Sequence, residues 1–252
     1  MRPAGGSALY AFASLSMMVI GVVTLVVGVR LLIRAGQTHG LPELLFGAAF
    51  VTGSVGVAGS QLGQRFVWTE PGPLFTSMTA LGFGLQVLGT AALFAVVWRV
   101  FRPRDRWAMG LALAGALVAL GGWALRWVDG SFEGDVLRSR GLFLFQSTRI
   151  LVFAWSATES LRYAAALRRR VALGLAEPAV ANQILFWGVA GIFMIVTTLC
   201  IMLPILLTGS SPLEFALPMA LITVSTLGTA VVMWCAFFPP LGMRRRLLFS
   251  GA

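Results

Sequence analysis

The chain has 252 residues, 58% of them hydrophobic and 11% charged, against roughly 25% charged in ordinary soluble domains. That balance excludes a water-soluble globule. The net charge of +10 is carried by arginine without a single lysine; the arginines are spread over loop ends, which argues against a nucleic-acid-binding patch.

Seven apolar stretches follow in order: 8–33, 41–63, 73–98, 107–128, 141–166, 179–208 and 212–238. Each meets the roughly 20 residues of helix that cross a 30 Å hydrocarbon core. None alternates as a membrane β-strand does. The expected fold class is therefore an all-α integral membrane protein, a single domain forming a seven-transmembrane-helix bundle.

The first stretch carries only Arg2 before it and runs on to Ile33, longer than the roughly 7–15 residues of a signal-peptide core. It reads as a retained helix. Pro42 opens the second, which is rich in small residues; Gly53, Gly56, Ser60 and Gly63 recur every three or four positions. A face this smooth lets backbones approach closely and predicts helix two at the bundle centre. Helix three repeats the pattern with Gly82, Gly84 and Gly89, and sets Gln86 near mid-membrane, where a primary amide needs partners. The connection Asp129–Arg140 is the longest on its side.

Helix five carries the most chemistry. Arg149 lies about eight residues inside it, with Gln146, Phe153, Ser156 and Ser160 on the same face by helical spacing. An ionisable group at that depth is a candidate ligand site, its guanidinium suited to a small polar or anionic ligand. The competing reading has Arg149 reaching outward to pair with Glu70, Glu214 or an acidic residue of 129–135. Outer Gln61 and Gln64 are candidates to line a mouth beside Arg149. Glu159 has Arg162 three residues on and Tyr163 four on. A local ion pair explains it; a proton-coupling carboxylate is the alternative.

Pro178 opens helix six, where Asn182 and Gln183 cap and solvate the inner end and Pro204 predicts a kink farther on. Gly209-Ser210-Ser211-Pro212 reads as the cap and first turn of helix seven, with Pro218 as a second kink. Thr197, Thr198, Thr223, Ser225, Thr226 and Thr229 are the hydroxyls of these two helices. Gln86, Arg149 and Thr226 would form one polar layer. Cys200 and Cys235 fall toward opposite membrane faces, too far apart for a disulfide.

Arginine asymmetry orients the bundle. Thirteen of nineteen arginines (Arg30, Arg34, those of 99–106, those of 162–170 and Arg244–Arg246) fall on one side, and Arg2, Arg65, Arg126, Arg138 and Arg140 on the other. The positive-inside rule then puts the N-terminus outside and the C-terminus in the cytoplasm. Glu70, Asp129, Glu133, Asp135 and Glu214 fall outside. Trp68, Trp123 and Trp127 mark the outer interface and Trp98, Trp107 and Trp234 the inner; Trp155 lies nearer mid-membrane. Arginine in place of lysine fits a GC-rich bacterial genome, hence a bacterial inner membrane.

An echo links the two ends of the chain. "VRLLIRA…GLPELLFG" and "LRYAAALRRR…LAEPAVANQILFWG" each join an arginine-tipped helix to a proline-initiated one with Leu-Phe and a glycine, Gly47 or Gly188. Helices one to three and five to seven share an orientation, with helix four as inverting linker. The pattern suggests a parallel 3+1+3 pseudo-repeat of the transporter kind, although the proline-to-glycine spacing differs between the halves, Pro42 to Gly47 against Pro178 to Gly188.

The negative features are as informative. The one histidine, His39, leaves no metal-ligand cluster, and there is no phosphate-binding loop or nucleophile elbow. A retinal Schiff base needs a lysine. No cofactor and no enzyme activity are expected.

"GLPELLFG", "ESLRYAAALRRRVALGLAEPAVANQILFWG" and "WCAFFPPLGMRRR" resemble segments of uncharacterised bacterial seven-helix membrane proteins, and the topology is similar to the transporter–opsin–receptor class. The resemblance implies fold and membrane, and marks Glu159, Arg162, Pro178 and Trp187 as inner-side positions; it brings no activity. The expected role is a receptor-like sensor that binds a small ligand from the outer side and acts through a separate cytoplasmic protein partner; the alternatives are a small-solute carrier of 3+1+3 layout and an assembly subunit packing through the glycine face of helix two.

Overall fold

The computed structural model describes the backbone of residues 4–66, 72–132 and 139–238, and the side chains of these except 4–8, 62–66 and 213. Arg2, Trp68, Glu70, Glu133, Asp135, Arg138 and Arg244–Arg246 lie outside the described residues, as do the side chains of Gln64 and Arg65.

Among the described residues are seven α-helices and no strand. They are α1 (Ala4–Thr38), α2 (Leu41–Phe66), α3 (Pro73–Phe101), α4 (Arg106–Val128), α5 (Arg140–Ala172), α6 (Pro178–Thr208) and α7 (Ala216–Phe237). Six of them, all but α5, are long and apolar enough to cross a membrane. At 33 residues α5 is about 50 Å long, but Gln146, Arg149 and Glu159 interrupt its apolar run. By composition it falls short of the seventh span expected.

Local chemistry sets the helix ends. Pro178 takes the first turn of α6, where a missing amide hydrogen costs nothing. The Ser139 hydroxyl caps α5, accepting from the Leu142 N–H at 3.2 Å. α6 stops at Gly209, whose φ of 68° is left-handed. The expected start of helix seven is corrected. Pro212 opens a separate one-turn 3-10 helix, Pro212–Glu214, and α7 begins at Ala216. Pro218 therefore sits in a first turn, where no carbonyl loses its partner, and no kink follows from it.

Sequential helices pack side by side and α7 closes onto α1. α3 also packs on α5, so α1, α2, α3, α5, α6 and α7 enclose a central space, and α4 lies against the outside of the α3–α5 pair. Helix two is not at the centre. The span of α3 is 50% buried, that of α2 only 22%. The glycine face of α2 is instead used against α3. A Cβ on Gly56 would stand 2.5 Å from the Gly82 carbonyl, and one on Gly89 2.9 Å from that of Ala49. Small residues specify close approach, and α3 is the neighbour that takes it.

The outward surface is apolar: Leu81, Leu88, Leu117, Leu206, Val224 and Val231 are all exposed, as side chains solvated by lipid should be. Trp98, Trp107 and Trp234 fall at one end of the bundle with ten described arginines, from Arg30 to Arg170. Trp123 and Trp127 fall at the other. Trp155 stands beside Trp107, 5.9 Å between ring centroids, and so nearer the arginine-rich end than mid-membrane.

Candidate functional site

The central space is a cavity of about 350 Å³, within the roughly 300–1,000 Å³ of small-molecule pockets. It runs from Gln61 on α2 and Ile201 on α6 to Phe50, Trp187 and Met233 toward the arginine-rich end. Phe50 to Gln61 is about 16 Å of helix. Every enclosing helix lines it, and α4 does not.

A side-chain bond crosses each of the six seams around it. Thr24 and Ser54 hydroxyls meet at 2.7 Å between α1 and α2. Gln86 Nε2 donates to Ser60 Oγ at 3.2 Å between α3 and α2. Arg102, capping α3, donates to Glu159 of α5 at 3.0 Å. Trp187 Nε1 donates to Ser156 Oγ at 2.7 Å between α6 and α5. Thr197 meets Ser225 at 2.7 Å, and Thr226 donates to Ser16 at 2.8 Å. Polar side chains between membrane helices are each worth on the order of 1 kcal/mol; here they pin the wall all the way round.

Arg149 differs from these. Its guanidinium lines the cavity with one long hydrogen bond, Nη1 to Gln146 Oε1 at 3.4 Å. The rings of Phe145 and Phe153 flank it, 5.8 and 5.9 Å to their centroids. No carboxylate lies within ion-pairing distance among the described residues. Glu214 instead accepts from the Ser211 N–H. Five N–H donors with one long hydrogen bond among the described residues leave the guanidinium largely unsatisfied.

Aromatic residues stand at the arginine-rich end of the cavity, where Phe50 and Trp187 line it. Phe46 meets Trp187 edge to face at 4.8 Å, and Phe50 meets it at 5.5 Å. Met233, Val27, Leu31 and Ala190 complete this apolar cluster.

The residues marked in the sequence divide accordingly. Gln86, Gln146, Arg149 and Thr226 line the one cavity, as does Gln61. Ser156 reaches it only by holding Trp187. Thr226 is already bonded, to Ser16 and to the Ile222 carbonyl, which leaves it less free for a ligand than Arg149. The expected local pair of Glu159 with Arg162 is replaced by the interhelical pair with Arg102, while Arg162 is exposed. Glu159 is buried on the α3 side of α5, so Arg102 is the cation within reach. Arg102 also meets Asp105 at 3.5 Å. The hydrogen bond and charge of Glu159 hold its pKa above the ordinary arginine value. Sequence reasoning missed Arg102 as a partner and the Phe46–Phe50–Trp187 closure; both link segments far apart in the chain.

At the opposite end the fully buried Arg126 lies between the rings of Phe83 and Phe132, 4.3 and 4.4 Å away. It donates to the Ser131 hydroxyl and carbonyl at 3.1 and 3.2 Å. Asp129 accepts from the Ser131 N–H and the Ser139 hydroxyl, both at 3.1 Å. This network ties the end of α4 to the start of α5, away from the cavity.

Among the described residues no three His, Cys, Asp or Glu side chains gather as a metal site would require. No protein-family model, curated protein or solved structure matches the chain.

Proposed function

We propose that the protein crosses the bilayer seven times and carries a small organic anion, bound to Arg149 in the central cavity. The observation that supports this best is a guanidinium without a carboxylate partner among the described residues, lining a ligand-sized space between two helix triplets. A site between repeats near mid-membrane is the usual arrangement in carriers.

Packing favours α5 as the seventh span. α4 ends and α6 begins at opposite ends of the bundle, and α5 connects them. Its polar residues Gln146 and Arg149 face the cavity while Leu144 and Leu151 are exposed on its outside. With seven spans, the arginine-rich end is cytoplasmic and the N-terminus is outside. The preferred location is a bacterial inner membrane.

The 3+1+3 layout gains support from two glycines. A Cβ on Gly47 would meet Leu32 of α1 at 2.8 Å, and one on Gly188 would meet Leu161 of α5 at 3.0 Å. Each glycine thus seats its helix on a leucine of the preceding helix, and α4 stands apart as the linker.

A sensor would use the same cavity, with the exposed arginines of α5 (Arg162, Arg168, Arg169 and Arg170) offered to a cytoplasmic partner. An assembly subunit loses its expected surface, because α3 covers the glycine face of α2. Proteoliposomes loaded from a metabolite extract separate the readings. Saturable luminal accumulation of an anion, abolished by Arg149→Ala, supports a carrier. Retention at protein stoichiometry supports a sensor, and no retention by folded protein removes the ligand site altogether.

A further inference from the structure

We propose a second anion site at the arginine-rich end, between α1, α6 and α7, that takes the phosphate of an anionic phospholipid headgroup. A separate cleft of about 210 Å³ lies there, and its polar lining is Arg30 and Arg34 from α1 with Asn182 and Gln183 from α6. Arg30 and Arg34 are four residues apart, so both guanidinium groups leave the same face of α1; like charges so placed repel unless an anion joins them. Among the described residues no carboxylate lines the cleft.

The donors are positioned, and all but one lack a partner among the described residues. Arg30 Nη1 donates to the Phe237 carbonyl at 3.2 Å, and its guanidinium lies 4.5 Å over the Phe238 ring. Those contacts fix the group while leaving its other N–H bonds available. The side chains of Arg34, Asn182 and Gln183 have no hydrogen-bond or ion-pair partner among the described residues. A phosphate diester offers acceptor oxygens and negative charge, which is what two guanidinium groups and two amide NH₂ groups require.

The surroundings favour a lipid over a soluble phosphate ester. The cleft lies where α1 and α7 end and α6 begins, the depth at which headgroups sit beside a membrane helix, and basic pockets between helices there hold anionic lipids. Leu31, Phe186 and Phe237 form its apolar walls. Val29, Ile33, Val231 and Trp234 continue exposed along α1 and α7, giving acyl chains an apolar path away from the phosphate. The site shares no residue with the central cavity and does not depend on what that cavity binds.

Native mass spectrometry of the purified chain, titrated with phosphatidylglycerol and with phosphatidylcholine, tests this. The expected result is one phosphatidylglycerol retained after phosphatidylcholine is stripped. Retention should fall about tenfold in the Arg30→Gln/Arg34→Gln protein and be unchanged in Arg149→Gln. Arg34→Gln alone, at an exposed side chain, should weaken retention while the thermal melt stays that of the parent, which separates site loss from misfolding. Displacement of the lipid by equimolar glycerol phosphate or inorganic phosphate would overturn the lipid assignment in favour of a soluble ester. Equal retention of both lipids, or retention indifferent to both arginines, would overturn the site.

Discussion

Phe46 and Trp187 meet edge to face across the arginine-rich end of the cavity, 4.8 Å between centroids. Each directly precedes the glycine at which its helix rests on the helix before it, Gly47 on Leu32 and Gly188 on Leu161. In the proposed 3+1+3 layout these are corresponding positions of the two triplets, and rocking one triplet against the other would part them. Only Trp187 is anchored, through its N–H to Ser156 at 2.7 Å.

Ser156→Ala should therefore free the closure without emptying it. Losing one such hydrogen bond costs about 1 kcal/mol. A cysteine introduced at Ser54, in protein lacking Cys200 and Cys235, should react faster with an impermeant thiol reagent applied from the arginine-rich side. Trp187→Ala should accelerate labelling further; unchanged labelling in both would mean that the aromatic cluster is only packing.

At Gly56 and Gly82 the α2–α3 seam should not tolerate a side chain. Gly56→Val or Gly82→Val places atoms against backbone, Gly82 O in one case and Ser60 N in the other, and overpacking costs roughly 1–3 kcal/mol. Both variants should melt earlier than the parent. Gly53→Ala, where a Cβ meets nothing within 4 Å, should melt like it.

What could be read from the chain follows from what lipid imposes. Long apolar runs and loop arginines are bilayer requirements, so helix positions are legible. The stripe Gln146–Arg149–Phe153 is legible because helical spacing alone puts it on one face, and the structure turns that face into the cavity. Other relations depend on partners that no local pattern names. Gly53, Gly56 and Ser60 announce close approach but not to which helix; α3 takes it, leaving α2 peripheral. Glu159 has Arg162 close in sequence, yet its partner is Arg102, 57 residues earlier. The run Gly209–Pro212 signals a helix start, and a 3-10 turn intervenes before one.

The Arg102–Glu159 pair separates a structural role from a proton-coupling one. Glu159 is nearly buried, its side chain 9% exposed against 36% for Arg102. Glu159→Gln keeps a hydrogen-bond acceptor and removes the charge, so a structural pair predicts a lower melting temperature with uptake unaltered in its response to a pH gradient. A coupling carboxylate predicts that gradient-driven uptake disappears while exchange of internal for external substrate persists. Measuring both fluxes in one preparation decides between them.

Acid should loosen the α4–α5 connection through Asp129. Burial pushes its pKa up, but the Ser131 hydroxyl and amide, the Ser139 hydroxyl and the charge of Arg126 together hold it below the ordinary 3.8. A carboxylate whose folded pKa is depressed stabilises the fold above its unfolded pKa and loses that contribution as pH falls through the folded value. Melting temperature should thus decline from about pH 5 toward pH 2. Asp129→Asn should start lower at neutral pH and flatten that part of the decline; an identical profile in the variant would assign acid sensitivity elsewhere.

Arg149 provides the sharpest test, because charge and shape can be varied separately. Arg149→Gln removes the cation from between Phe145 and Phe153 and should abolish anion binding, while stability holds or rises, since no carboxylate among the described residues loses a partner. A structural arginine would behave in the opposite way, as Arg126→Gln should: its bonds to Ser131 and its place between Phe83 and Phe132 make that variant markedly unstable. Arg149→Lys restores a positive charge but not the planar fork that grips two oxygens of one carboxylate or phosphate. If the ligand is held bidentately, the lysine variant should bind at least about tenfold more weakly, on the order of 1.4 kcal/mol. Binding restored in full by lysine would reduce the role of Arg149 to a point charge. Destabilisation of the glutamine variant, with binding intact, would return Arg149 to the wall of the cavity and leave the cavity without its anion site.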